Sequence, residues 1–374
     1  MNRVSIVRQN DYIHDSLRTS LEEALAPLGG MGAFVKSGQR VLIKPNLLSG
    51  KAVEKAVTTH PLFIRIVAEM VQEAGGIPAV GDSPGVGSLE KVAEKIGLTP
   101  LLSEIGVSLV SFSDAVMVEH PRGKVFKRFE IARPVTEADV IINLPKLKTH
   151  GMMTLTCGVK NLFGCVSGLR KVRWHADAGH DYERFAEMLV DLAYMVKPAL
   201  TIVDGIVGME GEGPGSGDPR QLGLILAGTD PVAVDRVVCE IVGLSPDELP
   251  TLAAAGRLKL GVSSLKEIEV AGDSIGSAKV EDFRFPAKTI DTGMLPGFIR
   301  KLLRDALSNR PVVGHEKCTL CHVCVTHCPA QIMSVKDNRI TIDYSACIRC
   351  FCCHELCPQG TIRIGKRWLA SRFG

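Results

Sequence analysis

Val140-Ile141-Ile142-Asn143-Leu144-Pro145-Lys146-Leu147-Lys148-Thr149-His150 is a nearly continuous apolar run that meets a proline and opens into a polar cluster. Val140–Leu144 shows little polar alternation, which fits a strand buried on both faces, as in a parallel sheet covered by helices. The polar cluster then falls at the carboxyl end of the strand, where open α/β sheets hold ligands. The same unit recurs over the first 285 residues. Arg40–Ile43 runs into Lys44-Pro45-Asn46, Ile77–Val80 into Gly81-Asp82-Ser83, Leu200–Val203 into Asp204-Gly205, and Leu222–Ala227 into Gly228-Thr229-Asp230. Helical segments lie between them: Asp15–Leu25, a stretch opened by Pro61 and closed by Gly75-Gly76, Tyr182–Met195, and one started by Pro231. Val116–Val118 and Val125–Ile131 read as a hairpin, Thr154–Gly168 as a helix broken by glycines, and Gly208–Gly217 as a long loop. The expected fold is α/β, a mostly parallel sheet with helices on both faces.

Composition bounds the rest. The chain has 374 residues, 45% hydrophobic and 23% charged, enough for a large domain and a small one. A net charge of +3 and 5% aromatic residues argue against a nucleic-acid partner. No apolar run is long enough for stable membrane insertion, and Met1–Val7 lacks the apolar core of a signal peptide. Twelve cysteines, eight of them at ligand spacing, place the protein in a reducing cytoplasm. The expected division is an α/β domain at 1–285, a linker at 286–313 with the short basic amphipathic helix Phe298–Leu307, a cysteine module at 314–366 and a tail at 367–374. The helix suits docking of the small module better than a membrane surface.

The module is an internal duplication. Cys318, Cys321, Cys324 and Cys328-Pro329 repeat 29 residues later as Cys347, Cys350, Cys353 and Cys357-Pro358. Each half is a C-x2-C-x2-C-x3-C-P run and resembles half of the bacterial-type two-cluster 4Fe-4S ferredoxin, so the resemblance implies a small α+β ferredoxin-like module holding two 4Fe-4S clusters. It also implies crossed ligation. Cluster one takes Cys318, Cys321, Cys324 and Cys357; cluster two takes Cys347, Cys350, Cys353 and Cys328. Structural zinc is the competing reading, but zinc favours paired C-x2-C knuckles over a triple run. Cys352 is the thiol left over and reads as a packing residue.

The polar strand ends supply a candidate site in the large domain. Lys44 and Asn46, Asp82 and Ser83, Lys146, Lys148 and His150, Asp204, and Asp235 are its members, joined by Lys160 and Asn161 of the stretch Thr156–Cys165. Lysines and backbone N–H groups suit phosphate or carboxylate, so the ligand is expected to be a polar or anionic small molecule. His150 has the intrinsic pKa of a proton donor, and Asp82, Asp204 and Asp235 could hold a divalent cation. Each has a plainer role open to it: Asp82 shaping a turn, Lys44 solvated in a loop, Cys157 and Cys165 as buried core thiols rather than ligands or nucleophiles.

Together these segments resemble the domain-of-unknown-function 362 family. The carrying residues are Lys44-Pro-Asn46, Gly81-Asp-Ser83, Leu144-Pro-Lys-Leu-Lys-Thr-His150, Lys160-Asn-Leu-Phe-Gly164, Asp204-Gly-Ile206, Gly211-Glu-Gly-Pro214 and Asp230-Pro-Val-Ala-Val-Asp235. The family often carries a C-terminal two-cluster module, and its name implies no reaction. In general layout the large domain is also similar to the amino-terminal part of the lactate racemase family.

The expected function is a ferredoxin-linked oxidoreductase. Electrons from a donor such as a ferredoxin would pass through the clusters to the sheet edge, where Lys146, Lys148 and His150 act on the substrate. The alternative is a non-enzymatic electron carrier, or a cluster or metal trafficking protein, whose large domain docks a partner. The lack of G-x4-G-K-[ST] and of G-x-G-x-x-G weighs against P-loop and nicotinamide chemistry.

Overall fold

A computed structural model describes residues 2–168, 170–179, 181–286 and 309–365. The expected linker helix Phe298–Leu307 and the tail 367–374 lie outside the described residues. Among the described residues of the large domain twelve strands follow in order: β1 (Asn2–Arg8), β2 (Arg40–Pro45), β3 (Ile77–Val80), β4 (Ser108–Leu109), β5 (Ala115–Glu119), β6 (Arg128–Ala132), β7 (Val140–Leu144), β8 (Lys146–His150), β9 (Thr154–Thr156), β10 (Leu200–Glu210), β11 (Asp218–Gly228) and β12 (Ile268–Gly272). Among the described residues ten of them form one sheet, ordered β12-β1-β11-β10-β7-β2-β3-β4, with β8 beside β10 and β9 beside β8. The half from β10 through β7, β2 and β3 to β4 is parallel. β11 is the reversed strand, antiparallel to both β10 and β1. β5 and β6 form the expected hairpin apart from this sheet.

Helices cover both faces, and β11 shows it residue by residue. Leu224 and Leu226 face a core with Phe185, Val237 and Leu252, from helices Tyr182–Val196, Pro231–Val242 and Pro250–Leu258. Ile225 and Ala227 face a second core with Leu17, Leu21, Phe63 and Ile66, from helices His14–Leu25 and Pro61–Glu73. Side chains alternate across a strand, so one continuous apolar run feeds both cores, at roughly 1.5–3 kcal/mol for each fully buried large residue. Asp230 caps its helix by accepting from Val232 N at 2.9 Å.

Three local expectations change. Lys146–His150 is not a loop at a strand end but a strand of its own; Pro145 carries no N–H for the ladder, and the chain bends there from β10's first residues onto its later ones. Its ladder partners, β10 on one side and β9 on the other, hold it as a strand despite the proline. Thr154–Gly168 is not a glycine-broken helix: it holds β9, one helical turn at Gly158–Asn161 and a 3-10 turn at Leu162–Cys165. The glycine-rich loop is shorter than Gly208–Gly217, because β10 continues to Glu210 and pairs with β11 up to Asp218.

In the cysteine module, β13 (Arg310–Val313) pairs with β16 (Ile362–Gly365), and β14 (Met333–Lys336) with β15 (Arg339–Ile342). The module's sheet therefore begins inside the segment expected as linker, at 310 rather than 314. Among the described residues no helix is long and apolar enough to cross a membrane.

Candidate functional site

The carboxyl ends of β2 and β3 bring Lys44 and Asp82 together. Lys44 Nζ donates to Asp82 Oδ1 at 2.7 Å, with both side chains buried. Asp82 also accepts from Leu47 N at 2.7 Å and Ser83 N at 2.8 Å, so its charge is fully engaged. A network of amides continues from this pair. Lys148 Nζ donates to Asn46 Oδ1 at 2.9 Å, Asn46 Nδ2 to Asn161 Oδ1 at 2.9 Å, and Asn161 Nδ2 to Asn143 Oδ1 at 2.8 Å. Above it lies a cavity of about 250 Å³ lined by Lys44, Asn46, Asp82, Ser83, Lys148, His150, Lys160 and Asn161 of the expected set.

Gly164 seals the floor. A Cβ there would stand 2.1 Å from Asp82 Oδ1 and 2.5 Å from Lys44 Nζ. Gly164→Ala is expected to destabilise the large domain by roughly 3 kcal/mol, since it must part a buried ion pair or shift the backbone. A urea midpoint within error of wild type would refute this.

Lys146, Asp204 and Asp235 do not join the cavity. Lys146 Nζ donates to Asp204 Oδ2 and to Tyr12 Oη, both at 2.9 Å, and Tyr12 Oη donates to Asp204 Oδ1 at 2.7 Å. This is a closed structural cluster, with Lys146 1% and Asp204 0% exposed. Asp235 instead caps the turn at Gly158, accepting from Gly158 N at 2.6 Å and Val159 N at 3.1 Å, while burial pushes its carboxyl up to about 7. Asp82, Asp204 and Asp235 are thus committed to separate partners. Among the described residues no group of three His, Cys, Asp or Glu side chains converges on a single ion.

His150 lines the cavity, but not as the acid its ordinary pKa suggests. Burial, with Lys160 and Lys148 nearby, lowers it to about 4, so it is neutral at physiological pH. Its Nδ1 accepts from Met152 N and Met153 N, each at 3.1 Å, which leaves the proton on Nε2. That Nε2–H points toward Glu355 Oε2 at 3.4 Å, too long for a full hydrogen bond. Cys157 and Cys165 are buried, and burial raises both thiols, Cys165 to about 12.

The cavity's other wall escaped sequence reading. Lys171 and His175, four apart on helix Arg170–Ala178, both reach it. Their spacing on one helix face was the available signal. Cys352, Glu355 and Leu356 close it from the cysteine module, so Cys352 is cavity wall as well as packing. Nothing local predicts that contact.

Burial lowers Lys148 to about 7. Between that value and the ordinary lysine range the unfolded chain binds a proton that the native state does not, so this residue makes stability rise with pH. Lys148→Met should therefore show a shallower rise than wild type between about pH 7.5 and about 9.5 in urea titrations. Equal slopes would contradict the burial of its charge.

In the module, Cys318, Cys321, Cys324 and Cys357 line one small cavity, and Cys328, Cys347, Cys350 and Cys353 line a second. Apolar side chains fill in around each, including Ile340 and Ile362 in the first and Ile332 and Met333 in the second. The backbone repeats as the thiols do: Leu320, His322 and Gln331 take left-handed conformations, and so do Arg349, Phe351 and Gly360, each 29 residues on. Non-glycine residues adopt this conformation at a cost, and loops so folded turn successive N–H groups toward a bound anionic centre. Four thiolates around each loop fit a 4Fe-4S cluster by donor chemistry.

Comparison with known proteins follows this division. The model of a family described as a domain of unknown function (DUF362) matches residues 41–240, and that of a 4Fe-4S dicluster domain matches residues 310–358. The thylakoid-associated protein sll1697 of Synechocystis sp. is 48% identical over 257 residues, covering 69% of this chain and 79% of that protein. Among solved structures, the lactate racemase apoprotein from Thermoanaerobacterium thermosaccharolyticum superposes with a TM-score of 0.39 at 12% identity, covering 61% of this chain and 54% of that one.

Proposed function

Starting from a chain that belongs to the DUF362 family and carries a 4Fe-4S dicluster module, we propose that it is a ferredoxin-linked oxidoreductase of the cytoplasm, passing electrons through two 4Fe-4S clusters to an anionic small molecule in the cavity. One observation carries this reading: the cavity is walled jointly by lysines of the α/β domain and by Cys352, Glu355 and Leu356 of the cysteine module. Cys352 sits between Cys350 and Cys353 in the chain. The ligands of cluster two are therefore one side chain from the bound molecule.

When bound, the clusters supply single electrons at low potential. The protein's own groups do the rest. Lys148, Lys160 and Lys171 hold the anion, and Asn46 orients Lys148. Neutral His150 donates a hydrogen bond from Nε2. Helix Cys352–Glu355 and Leu356 screen the cavity from water.

Electrons arrive on the other side of that helix. A groove of about 190 Å³ beside Cys357 is lined by Lys51, Lys91 and Lys95. This basic rim next to a ligand of cluster one suits an acidic ferredoxin, whose approach it would steer. The double variant Lys91→Glu/Lys95→Glu is expected to slow reduction by a reduced acidic ferredoxin about tenfold at low salt, with reduction by methyl viologen unchanged. Equal slowing of both donors would mean damage to the module; no slowing of the ferredoxin would move its docking elsewhere.

Anaerobic purification tests the premise. About eight irons and eight sulfides per chain are expected, and stoichiometric zinc would overturn the assignment. A cavity ligand should also shift the electron paramagnetic resonance signal of the reduced clusters. A signal indifferent to every cavity ligand would favour the carrier or trafficking reading.

A further inference from the structure

Among the described residues, three cations face the cavity with no carboxylate bonded to them. Lys148 Nζ rests on Asn46 Oδ1 at 2.9 Å and on the Val57 carbonyl at 2.6 Å. Lys160 Nζ lies 5.5 Å above the Phe163 ring, and Lys171 Nζ reaches the Ser83 carbonyl. Asp82 cancels Lys44, and Glu355 offsets one of the three, so full protonation of the lysines, which a bound anion favours, would leave two positive charges. Lys148 is 1% and Lys160 8% exposed, so water does little to solvate them. Burial accordingly lowers all three, Lys171 to about 8. An uncompensated buried cation is costly unless something pairs with it.

Three neutral polar atoms of the same wall also lack a full hydrogen bond among the described residues. Thr156 Oγ1, His150 Nε2 and His175 Nδ1 are buried and lack full hydrogen bonds. The Thr156 hydroxyl and the His150 Nε2–H can both donate. Unsatisfied buried donors need an explanation, and an acceptor-rich ligand supplies one. Size favours a small ligand: about 250 Å³ lies at the lower end of the range for small-molecule pockets.

We infer that the cavity binds a compact dianion whose charge is spread over oxygen atoms, a dicarboxylate or a phosphate monoester. Lys148, Lys160 and Lys171 neutralise it, while Thr156 and His150 donate to its oxygens. This rests on the reading of the cavity as a small-molecule site and names the class of molecule it takes.

The test is calorimetric titration of the oxidised, cluster-loaded full chain with malonate, inorganic phosphate and acetate. At least one dianion should bind about tenfold or more tightly than acetate, as expected for one additional charge-assisted hydrogen bond. Tighter malonate points to a dicarboxylate, tighter phosphate to a phosphate ester. Lys160→Met should lower dianion affinity about tenfold or more while leaving the melting temperature unchanged or raised, because an unpaired buried charge is removed. If that variant fails to fold, Thr156→Val should weaken the dianion and spare acetate. No binding of either dianion at millimolar concentration, equal affinity for acetate, or indifference to both substitutions overturns the inference. Loss of dianion binding would leave ferredoxin-driven cluster reduction intact, whereas failure of the electron path would leave the titration unchanged.

Discussion

Asp204→Ala is expected to destabilise the α/β domain by roughly 3–5 kcal/mol, the range for removing one partner of a buried ion pair. Asp204 accepts three hydrogen bonds at once, from Lys146 Nζ at 2.9 Å, Tyr12 Oη at 2.7 Å and His60 N at 2.9 Å. Tyr12 stacks on His60 with ring centroids 3.7 Å apart and planes within 9°. One carboxylate thus ties β8 and β10 to the segments that begin helices His14–Leu25 and Pro61–Glu73. Its removal leaves Lys146 buried with only a phenol, and burial already lowers that lysine. The double variant Lys146→Met/Asp204→Leu should recover most of the loss, since an apolar pair replaces both charges. Urea midpoints of the three chains decide it: a double variant no better than Asp204→Ala would mean that the lysine was not the cause. Because this cluster is closed off from the cavity, Lys146→Met should leave the cavity's anion affinity unchanged. Loss of that affinity would return Lys146 to the site where the sequence placed it.

Removing iron is expected to unfold residues 309–365 and leave residues 2–286 folded. The module's buried core is Cys324, Met333, Ile340, Cys353, Cys357 and Ile362, half of them thiols assigned to clusters. So small a core cannot offset the entropy of ordering the chain, so binding of the metal centre must supply the folding free energy. The left-handed residues Leu320, His322, Gln331, Arg349 and Phe351 add strain of order 1–3 kcal/mol each that the bound state must repay. The large domain keeps two cores of its own. After anaerobic chelation, hydrogen exchange should show β13–β16 fully open and β7, β10 and β11 still protected. Retained protection in the module would mean that protein contacts alone hold it. The cavity should also lose its anion affinity, since Cys352, Glu355 and Leu356 form one wall.

The strands were legible because burial on both faces of a parallel sheet leaves an apolar run that needs no partner to be read. Val140–Leu144 and Ile77–Val80 appear in the structure with those bounds. Thr154–Gly168 was not legible. Its turns are fixed by distant groups, by Asp235 accepting from Gly158 and Val159 and by Gly164 closing on Lys44 and Asp82. Of the residues that sequence reasoning gathered, the structure sets Lys44, Asn46, Asp82, Ser83, Lys148, His150, Lys160 and Asn161 around one cavity, while Lys146, Asp204 and Asp235 lie apart.

By itself the sequence determined the α/β class, the duplicated cysteine module with its spacing for iron, and a lysine-rich sheet edge. All three rest on residues close together in the chain, whose periodicity or spacing carries the physics. Only the tertiary structure decided which charges are spent. Lys146 and Lys148 stand two apart on the same strand, yet one is closed into an ion pair with Asp204 and the other faces the cavity bonded to an amide oxygen and a backbone carbonyl. It also set Glu355 of the module against His150 of the large domain. The fate of a buried charge depends on what the fold brings within a few ångströms of it, and no local pattern records that.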